Sequence, residues 1–206
     1  MKTSDYTIRL EQENDYREVE NLTREAFWNV YRPGCLEHYV LHQFRSRADF
    51  IRSLSFVLEK DGKIIGHVMY AHGEISCPSG NVLPIVTFGP FSILPKEQGK
   101  GYGTALLQYS MEEAKRFGAS AIAITGNADF YKKSGFVIAK NVGVRYADDV
   151  DADYFLIKEL QSGFLASIQN GTYKDPDGYF VDEKEAELFD KTFPYKEKLK
   201  TNTQIF

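Results

Sequence analysis

Residues 82–117 read VLPIVTFGPFSILPKEQGKGYGTALLQYSMEEAKRF, and this stretch decides the fold. Its first part, Val82 to Leu94, is apolar on both faces, as is typical of a central strand that is covered on each side. Gly89 and Pro90 interrupt it, and a proline has no N–H to donate to a neighbouring strand. We therefore expect this strand to bulge or to separate from a neighbour there, so that the sheet opens at this point.

The same stretch continues through a glycine-rich loop, Gln98 to Gly103, into a helix that the apolar spacing predicts from Gly103 to Phe117. Three glycines let the backbone turn so that consecutive N–H groups point into one concavity at the positive end of the helix dipole. A phosphate or pyrophosphate suits such a concavity. The loop is not a Walker A loop, because no GK[ST] follows four residues after a glycine, and it is not a GxGxxG fingerprint, because its glycine spacing is GxGxG.

On the amino-terminal side, the sequence predicts a short strand at Ile8 to Leu10 and then two helices. Asp15 and Glu18 have the spacing of a capping box, which predicts that the first helix begins at this point. Residues 37–47, EHYVLHQFRSR, show a second and less regular helical pattern. Two apolar runs then flank Asp61 and Gly62, the residue pair that a type I′ turn favours, so we expect an antiparallel hairpin.

After the central helix, AIAIT at residues 121–125 predicts a buried strand parallel to the preceding one. DFYKKSGF at 129–136 predicts one or two helical turns, and FVIAK and DYFLIKEL predict two further strands. These elements make the fold class α+β, with a mixed, mostly antiparallel central sheet flanked by helices. We expect a domain over residues 1–160 and a carboxy-terminal extension over 161–206, with the turn-rich QNGTYKDPDGYF and a short helix in DEKEAELFDKTF, packed on the core.

Composition limits the function classes. The chain has 206 residues, 43% hydrophobic and 26% charged, with a net charge of −4, which excludes disordered and membrane-spanning classes and gives no overall attraction to nucleic acid or anionic membranes. Cys35 and Cys77 form no CxxC motif and no ligand cluster, so we expect neither a disulfide nor a metal site. The first sixteen residues lack a signal-peptide pattern, and we therefore expect a cytoplasmic protein.

Four segments together resemble the acetyl-CoA binding core of the GNAT superfamily of N-acetyltransferases: VTFGPFSILP (86–95), QGKGYG (98–103), AIAIT (121–125) and NADFYKKSGF (127–136). The resemblance covers roughly residues 51–160. It implies the GNAT acyl-CoA acyltransferase fold, splayed at its central strands, with acetyl-CoA as cosubstrate. The implied cofactor contacts are backbone groups of the splayed strand (Phe91, Ser92, Ile93) with pantetheine, the loop motif and its amides (Gln98, Gly99, Lys100, Gly101, Tyr102, Gly103, Thr104) with pyrophosphate, and Asn127 and Tyr131 near the thioester.

Acetyl transfer from a thioester to an amine passes through a tetrahedral oxyanion, which a backbone N–H of the opened strand can stabilise. Tyr131 is the candidate acid that protonates the leaving thiolate, and the alternative is that its ring only packs a short helix. Glu74 is the first choice for the base that takes the proton of the amine. His67, His72, Glu37 and His38 are alternatives, and each of these five can also be read as a surface or structural residue.

The resulting hypothesis is an acetyl-CoA-dependent N-acetyltransferase that moves an acetyl group to a primary amine of a small molecule or peptide by direct attack. Cys77 precedes a proline and Ser92 has no recognisable histidine partner, so an acyl-enzyme is disfavoured. A catalytically silent acyl-CoA sensor and a nucleotide-binding protein remain alternatives. The chain could be a monomer or a homodimer, and the aromatic residues of the extension suggest that it borders the acceptor site.

Overall fold

The computed structural model describes residues 5–202 and residue 204. Within them lie five α-helices and nine strands, which we number in chain order. The elements are β1 (Thr7–Leu10), α1 (Tyr16–Phe27), α2 (Glu37–Phe44), β2 (Phe56–Lys60), β3 (Lys63–Ser76), β4 (Val82–Ile93), α3 (Tyr102–Phe117), β5 (Ala121–Thr125), α4 (Ala128–Tyr131), β6 (Val137–Ile138), β7 (Val144–Tyr146), β8 (Phe155–Glu159), β9 (Gly171–Tyr173) and α5 (Glu183–Asp190). No helix of these residues is long and apolar enough to cross a membrane.

Contacts divide the chain into two compact units. The first unit contains Met1–Met69, Pro90–Leu107 and Asp177–Phe206, and the second contains Tyr70–Gly89 and Gln108–Pro176. The chain crosses from one unit to the other within β3, β4 and α3, so each of these long elements belongs partly to both. We describe each unit by itself.

In the first unit, β1 is antiparallel to β2, and β2 is antiparallel to β3. Asp61 and Gly62 join β2 to β3 with φ of 50° and 71°, so both central turn residues have the positive φ that a type I′ turn requires, and the predicted hairpin is confirmed. Helices α1 and α2 begin and end close to the predicted positions.

In the second unit, the strand order is β3-β4-β5-β8-β6, and β9 pairs with β3 and β7. β4 and β5 are parallel, as are β7 and β9, whereas β9 is antiparallel to β3 and β8 is antiparallel to both β5 and β6. The predicted α+β class with a mixed, mostly antiparallel sheet is confirmed. Its core contains Ile75, Phe155, Ile157 and Tyr173, and the rings of Phe155 and Tyr173 stack with centroids 4.9 Å apart.

Two local predictions are wrong. Asp15 stands at the N-cap of α1, but its carboxylate accepts from the N–H of Gln12 at 2.8 Å and pairs with Arg9 at 2.6 Å, so it does not cap that helix. Glu18 instead accepts from the N–H of Ile64 at 3.1 Å. Residues 171–173, predicted as part of a turn-rich segment, form β9, because their partners on β3 and β7 are distant in sequence and invisible to a local pattern.

The extension divides between the units. Residues 161–176 belong to the second unit, which contains β9, and the described residues from 177 to 204 belong to the first unit, where they pack on α1 and α2. There the guanidinium of Arg24, 1% exposed, pairs with Asp190 at 2.6 Å, and Trp28 donates its indole N–H to the carbonyl oxygen of Glu197 at 2.9 Å. The side chain of Asp182 accepts from two N–H groups in the first turn of α5 and thereby caps this helix.

The first unit contains a buried cluster of ionisable groups. Glu11 and Arg45 are almost fully buried and lie 2.5 Å apart, and His67 lies 3.5 Å from the same carboxylate. Burial by itself raises the pKa of Glu11, but His67 and Arg45 outweigh it and lower the pKa to about 2. Removing one partner of such a pair leaves an uncompensated buried charge, which destabilises a protein strongly.

This lowered pKa predicts a pH dependence of stability. A carboxyl group whose pKa is lower in the folded than in the unfolded chain stabilises the fold above its ordinary pKa of 4.5, and this contribution disappears as the pH falls toward about 2. We expect the difference in melting temperature between the wild type and Glu11→Gln to be largest near neutral pH and to shrink below that ordinary pKa. Thermal unfolding measured at several pH values checks this, and a difference that is constant with pH contradicts it.

Candidate active site

The ladder between β4 and β5 is short. It pairs Val86 with Ile122 and Thr87 with Ala123, and the side chain of Thr87 also donates to the carbonyl oxygen of Ala123 at 3.0 Å. No further pair between β4 and β5 occurs among the described residues. The ladder therefore ends just before Gly89 and Pro90, where the sequence predicted that the strand separates from a neighbour.

In the first unit, the loop before α3 presents backbone N–H groups. Gly99 and Gly101 have φ of 74° and 91°, a region that glycine adopts without steric cost. The first helical hydrogen bond of α3 runs from the N–H of Ala105 to the carbonyl of Gly101 at 3.0 Å, so the N–H groups of the three residues between them precede the helical ladder.

These N–H groups are not capped. Gly101 occupies the position where a serine, threonine, aspartate or asparagine side chain would accept from them, and it has no side chain to do so. Among residues 5–202 and 204, nothing accepts a hydrogen bond from the N–H groups of Tyr102, Gly103 or Thr104. By contrast, α4 and α5 are both capped by side chains. The start of α3 is therefore a cradle of unpaired donors at the positive end of a helix, which fits an anionic group.

The side chains of the loop have structural partners. Gln98 donates its amide to the carbonyl of Ile93 at 2.9 Å, which fixes the start of the loop to the end of β4. Lys100 pairs with Glu97 at 3.1 Å, and the hydroxyl of Tyr102 donates to Asp5 at 2.9 Å. The loop can therefore offer its backbone to a ligand while the side chains hold its shape.

The end of β4 is anchored in the same unit. The hydroxyl of Ser92 is buried and donates to that of Thr23 at 3.1 Å. Ile93 packs against β3, where a Cβ on Gly66 would come within 2.7 Å of its Cδ1 atom. Phe91 is partly exposed. Because Ser92 and Ile93 direct their side chains into the unit, any contact that they make with a ligand has to use their backbone groups.

In the second unit, Tyr131 is 8% exposed and lies in a cluster of aromatic rings. The centroids of Phe88, Phe130 and Phe136 lie 5.6, 5.0 and 5.6 Å from that of Tyr131. A Cβ at Gly126 would come within 2.7 Å of the Tyr131 ring, so glycine at this position lets the ring lie where it does. Sequence reasoning missed this role of Gly126, because only the three-dimensional packing shows it.

Asn127 has a clear structural task. Its side-chain oxygen accepts from the N–H groups of Asp129 and Phe130 at 2.8 and 3.3 Å, and it thereby caps the short helix that carries Tyr131. An amide oxygen occupied in this way positions the helix. The geometry thus gives Asn127 a part in placing Tyr131.

Two of the candidate bases are exposed residues of β3 in the second unit. Glu74 is exposed and has no hydrogen-bond or ion-pair partner within the described part of the chain. His72 is also exposed, with its ring 6.2 Å from that of Phe117. Among the described residues, no hydrogen bond holds either side chain in one orientation.

The other three candidates lie in the first unit and have local partners. His67 is buried with a ring nitrogen 3.2 Å from the hydroxyl of Ser55. His38 is buried 3.2 Å from Asp190, and burial lowers the pKa of its imidazole. The carboxyl group of Glu37 accepts a hydrogen bond from the backbone N–H of Leu36 at 2.9 Å, and burial raises its pKa. Among the residues described, no group of three or more His, Cys, Asp and Glu side chains could hold a metal ion.

The comparison with known families identifies the chain. The sequence model of the acetyltransferase (GNAT) family matches residues 16–136, more than half of the chain. The chain belongs to the GNAT family of acetyltransferases. The resemblance drawn from residues 86–136 is confirmed, and the match extends it to include both α1 and α2.

Three relatives of this GNAT acetyltransferase share between 20% and 23% sequence identity with it. An uncharacterised N-acetyltransferase of Escherichia coli (strain K12), YjhQ, is 23% identical over 140 residues, which cover 66% of this chain and 72% of that protein. The crystal structure of the GNAT family N-acetyltransferase YhbS from Escherichia coli, in complex with CoA, has a TM-score of 0.74 at 20% identity and covers 87% of this chain and 94% of its own. A GNAT family acetyltransferase from Brucella melitensis in complex with acetyl-CoA has a TM-score of 0.66 at 23% identity, covering 85% and 98%. These similarities confirm the GNAT fold.

Proposed function

We propose that this GNAT acetyltransferase transfers the acetyl group of acetyl-CoA to a primary amine of a small molecule or a peptide. The observation that carries the proposal is the uncapped set of N–H groups at the start of α3, reached through two glycines with positive φ. Such a cradle suits the pyrophosphate of CoA. Two structural relatives that contain CoA or acetyl-CoA support this choice of donor.

The cofactor contacts follow from this cradle. The backbone N–H groups from Gly99 to Thr104, with Lys100, Gly101, Tyr102 and Gly103 between them, hold the pyrophosphate. Gln98 positions the loop through its hydrogen bond to Ile93. The backbone at Phe91, Ser92 and Ile93 pairs with the pantetheine arm. In support, the ladder of β4 with β5 ends at Thr87 among the described residues. Beyond Thr87, β5 therefore does not compete with the pantetheine arm for the backbone groups of β4.

The proposed reaction is a direct attack. The neutral amine nitrogen forms a bond to the carbonyl carbon, an oxyanion develops, and the carbon–sulfur bond then breaks to release the CoA thiolate. A backbone N–H of Phe91 to Ile93 stabilises the oxyanion, because a fixed donor aimed at a developing charge lowers the barrier. The amine proton leaves to a base, and the thiolate receives a proton, so the transfer is balanced without an acyl-enzyme.

Tyr131 is the proposed acid. A tyrosine with an ordinary pKa of about 10 is protonated at neutral pH and can donate to a thiolate. Its ring is fixed by three aromatic neighbours and by the absence of a side chain at Gly126, which supports a role that needs a defined position. Asn127 contributes by capping the helix that carries Tyr131.

Glu74 is the proposed base. An alkylamine is mostly protonated at pH 7, so a group that accepts its proton is needed. The carboxylate of Glu74 is exposed and has no competing partner among the residues described, which leaves it available to an amine that arrives from solvent.

The test of this function is a release assay with a panel of primary amines. We expect acetyl-CoA to release free thiol faster with an accepting amine than by hydrolysis alone, and mass spectrometry to find the amine heavier by one acetyl group. Binding of CoA without thiol release from any amine of the panel supports the acyl-CoA sensor. Tight binding of ATP with no affinity for CoA supports a nucleotide-binding protein.

The carboxy-terminal extension is proposed to border the acceptor site. Deleting residues 194–206 keeps Asp190, which pairs with Arg24, and the buried Phe193, but it removes the backbone oxygen that Trp28 contacts. We expect the KM for the amine to rise severalfold, up to about tenfold, because one or two hydrogen bonds at the acceptor site are lost. The KM for acetyl-CoA should not change. Steady-state kinetics check this. An unchanged KM for the amine, in a variant that melts as the full chain does, contradicts the proposal.

A further inference from the structure

A cavity of about 440 Å³ lies in the first unit outside the loop cradle. It is bounded by α1, by the tip of the β2–β3 hairpin and by the residues that lead from β4 into the loop. Its apolar side is formed by Leu22, Ile64 and Ile65, which are buried. A volume of several hundred Å³ with an apolar side and a few polar groups is typical of a small-molecule site.

Several charged groups at this cavity are already engaged. The ammonium of Lys60 pairs with Asp5 at 2.9 Å, and Glu97 pairs with Lys100 at 3.1 Å. Glu18 accepts from the N–H of Ile64 at 3.1 Å. These side chains therefore shape the rim, and a ligand would have to break existing contacts in order to use them.

Two ammonium groups at the rim are available. Within residues 5–202 and 204, the side chains of Lys63 and Lys96 have no hydrogen-bond or ion-pair partner, and neither has the amide of Asn21 beside them. Asp61 is the one rim carboxylate in that part of the chain without a partner. The unpaired charges of Lys63, Lys96 and Asp61 therefore sum to one net positive charge at the rim.

We propose that this cavity binds a phosphate monoester whose organic part packs on the apolar side. A phosphate monoester approaches a charge of −2 at neutral pH, because its second pKa is about 6, and it has three acceptor oxygens. The two ammonium groups and the amide supply three donor groups for its three acceptor oxygens. A carboxylate carries one negative charge and two oxygens, so the same donors attract it less strongly.

The cavity is distinct from the loop cradle. Its lining ends at Glu97, and the glycines of the loop do not contribute to it. Glu97 nevertheless links the two features, since it lines the cavity and pairs with Lys100 of the loop. The phosphate monoester could be the 3′-phosphate of CoA itself or a separate molecule. Only the first of these sources rests on the proposed function.

The test uses adenosine 3′,5′-bisphosphate as the probe, with the full chain in a calorimeter. We expect the variant Lys63→Gln/Lys96→Gln to bind the probe at least about tenfold more weakly than the wild type, because two charge-assisted hydrogen bonds are lost. The matched control is Lys115→Gln/Lys184→Gln, which removes the same charge from two exposed lysines that do not line the cavity. An equal loss in both variants, no loss in the first, or no binding to the wild type overturns the proposal.

Repeating the titration with the protein saturated in CoA separates the two sources. If the ligand is the 3′-phosphate of CoA, the probe no longer binds, and the first variant loses affinity for CoA but keeps its affinity for dephospho-CoA. If the ligand is a separate molecule, the probe still binds to the CoA-saturated protein and remains sensitive to Lys63 and Lys96. Failure of the transferase proposal gives a different result, namely no thiol release while the probe still binds.

Discussion

Replacing Tyr131 by phenylalanine should lower the turnover number by about a hundredfold to ten-thousandfold, the range that a positioned general acid contributes. The reason is that the variant keeps the ring but loses the only proton that this side chain can donate. Phe88, Phe130 and Phe136 pack against the ring, which the variant keeps, so this packing should survive. Turnover in the thiol-release assay and the dissociation constant of acetyl-CoA, measured separately, check this expectation.

The matched control for this prediction is Tyr70→Phe. Tyr70 is a buried tyrosine of the same unit, whose hydroxyl lies 3.0 Å from that of Ser110. This control should cost about 1 kcal/mol of stability, the usual contribution of one hydrogen bond, and leave turnover unchanged. Equal turnover of Tyr131→Phe and the wild type would remove Tyr131 from the chemistry. A fall in turnover that is matched by Tyr70→Phe would assign the loss to general loosening of the unit.

Much of the fold was predictable because its strongest signals are local. A type I′ turn depends on two adjacent residues, and Asp61 and Gly62 meet that requirement in the sequence itself. The positive φ of Gly118, 96°, likewise ends α3 where the sequence predicted. Asp15 failed as a predicted cap because its best partner, Arg9, competes for the same carboxylate. β9 was missed because a three-residue strand is defined by its neighbours.

The features of the candidate site also fall into those that a local sequence pattern predicts and those that depend on distant parts of the chain. A loop of backbone donors follows from glycine spacing, so Gly99 and Gly101 could be chosen from the sequence. The hydrogen bond from Gln98 to Ile93 could not be predicted from the sequence. It joins a side chain to a carbonyl oxygen whose direction is set by the strand. A base is harder still, because its task depends on where an acceptor lies. The exposed Glu74 therefore remains a prediction.

Replacing Gly101 by alanine should weaken acetyl-CoA binding by about a hundredfold. The φ of Gly101 is 91°, where an alanine is strained by about 1 to 2 kcal/mol, and the loop can relieve that strain only by rotating its peptide groups. Rotation turns the N–H groups away from the position at which they meet a pyrophosphate. Losing two charge-assisted hydrogen bonds, each contributing about 1.5 kcal/mol or more, gives the expected factor. Calorimetry with acetyl-CoA measures it.

Gly80→Ala is the matched control, because both glycines have a similar positive φ and open space where a Cβ would lie. Gly80 has φ of 86°, and an added Cβ would meet no atom within 4 Å at either position. Both variants should therefore lose similar stability by thermal unfolding, and only Gly101→Ala should lose affinity for acetyl-CoA. If the two variants bind acetyl-CoA equally well, the amides at the start of α3 do not hold the pyrophosphate. The transferase proposal then loses the observation that carries it.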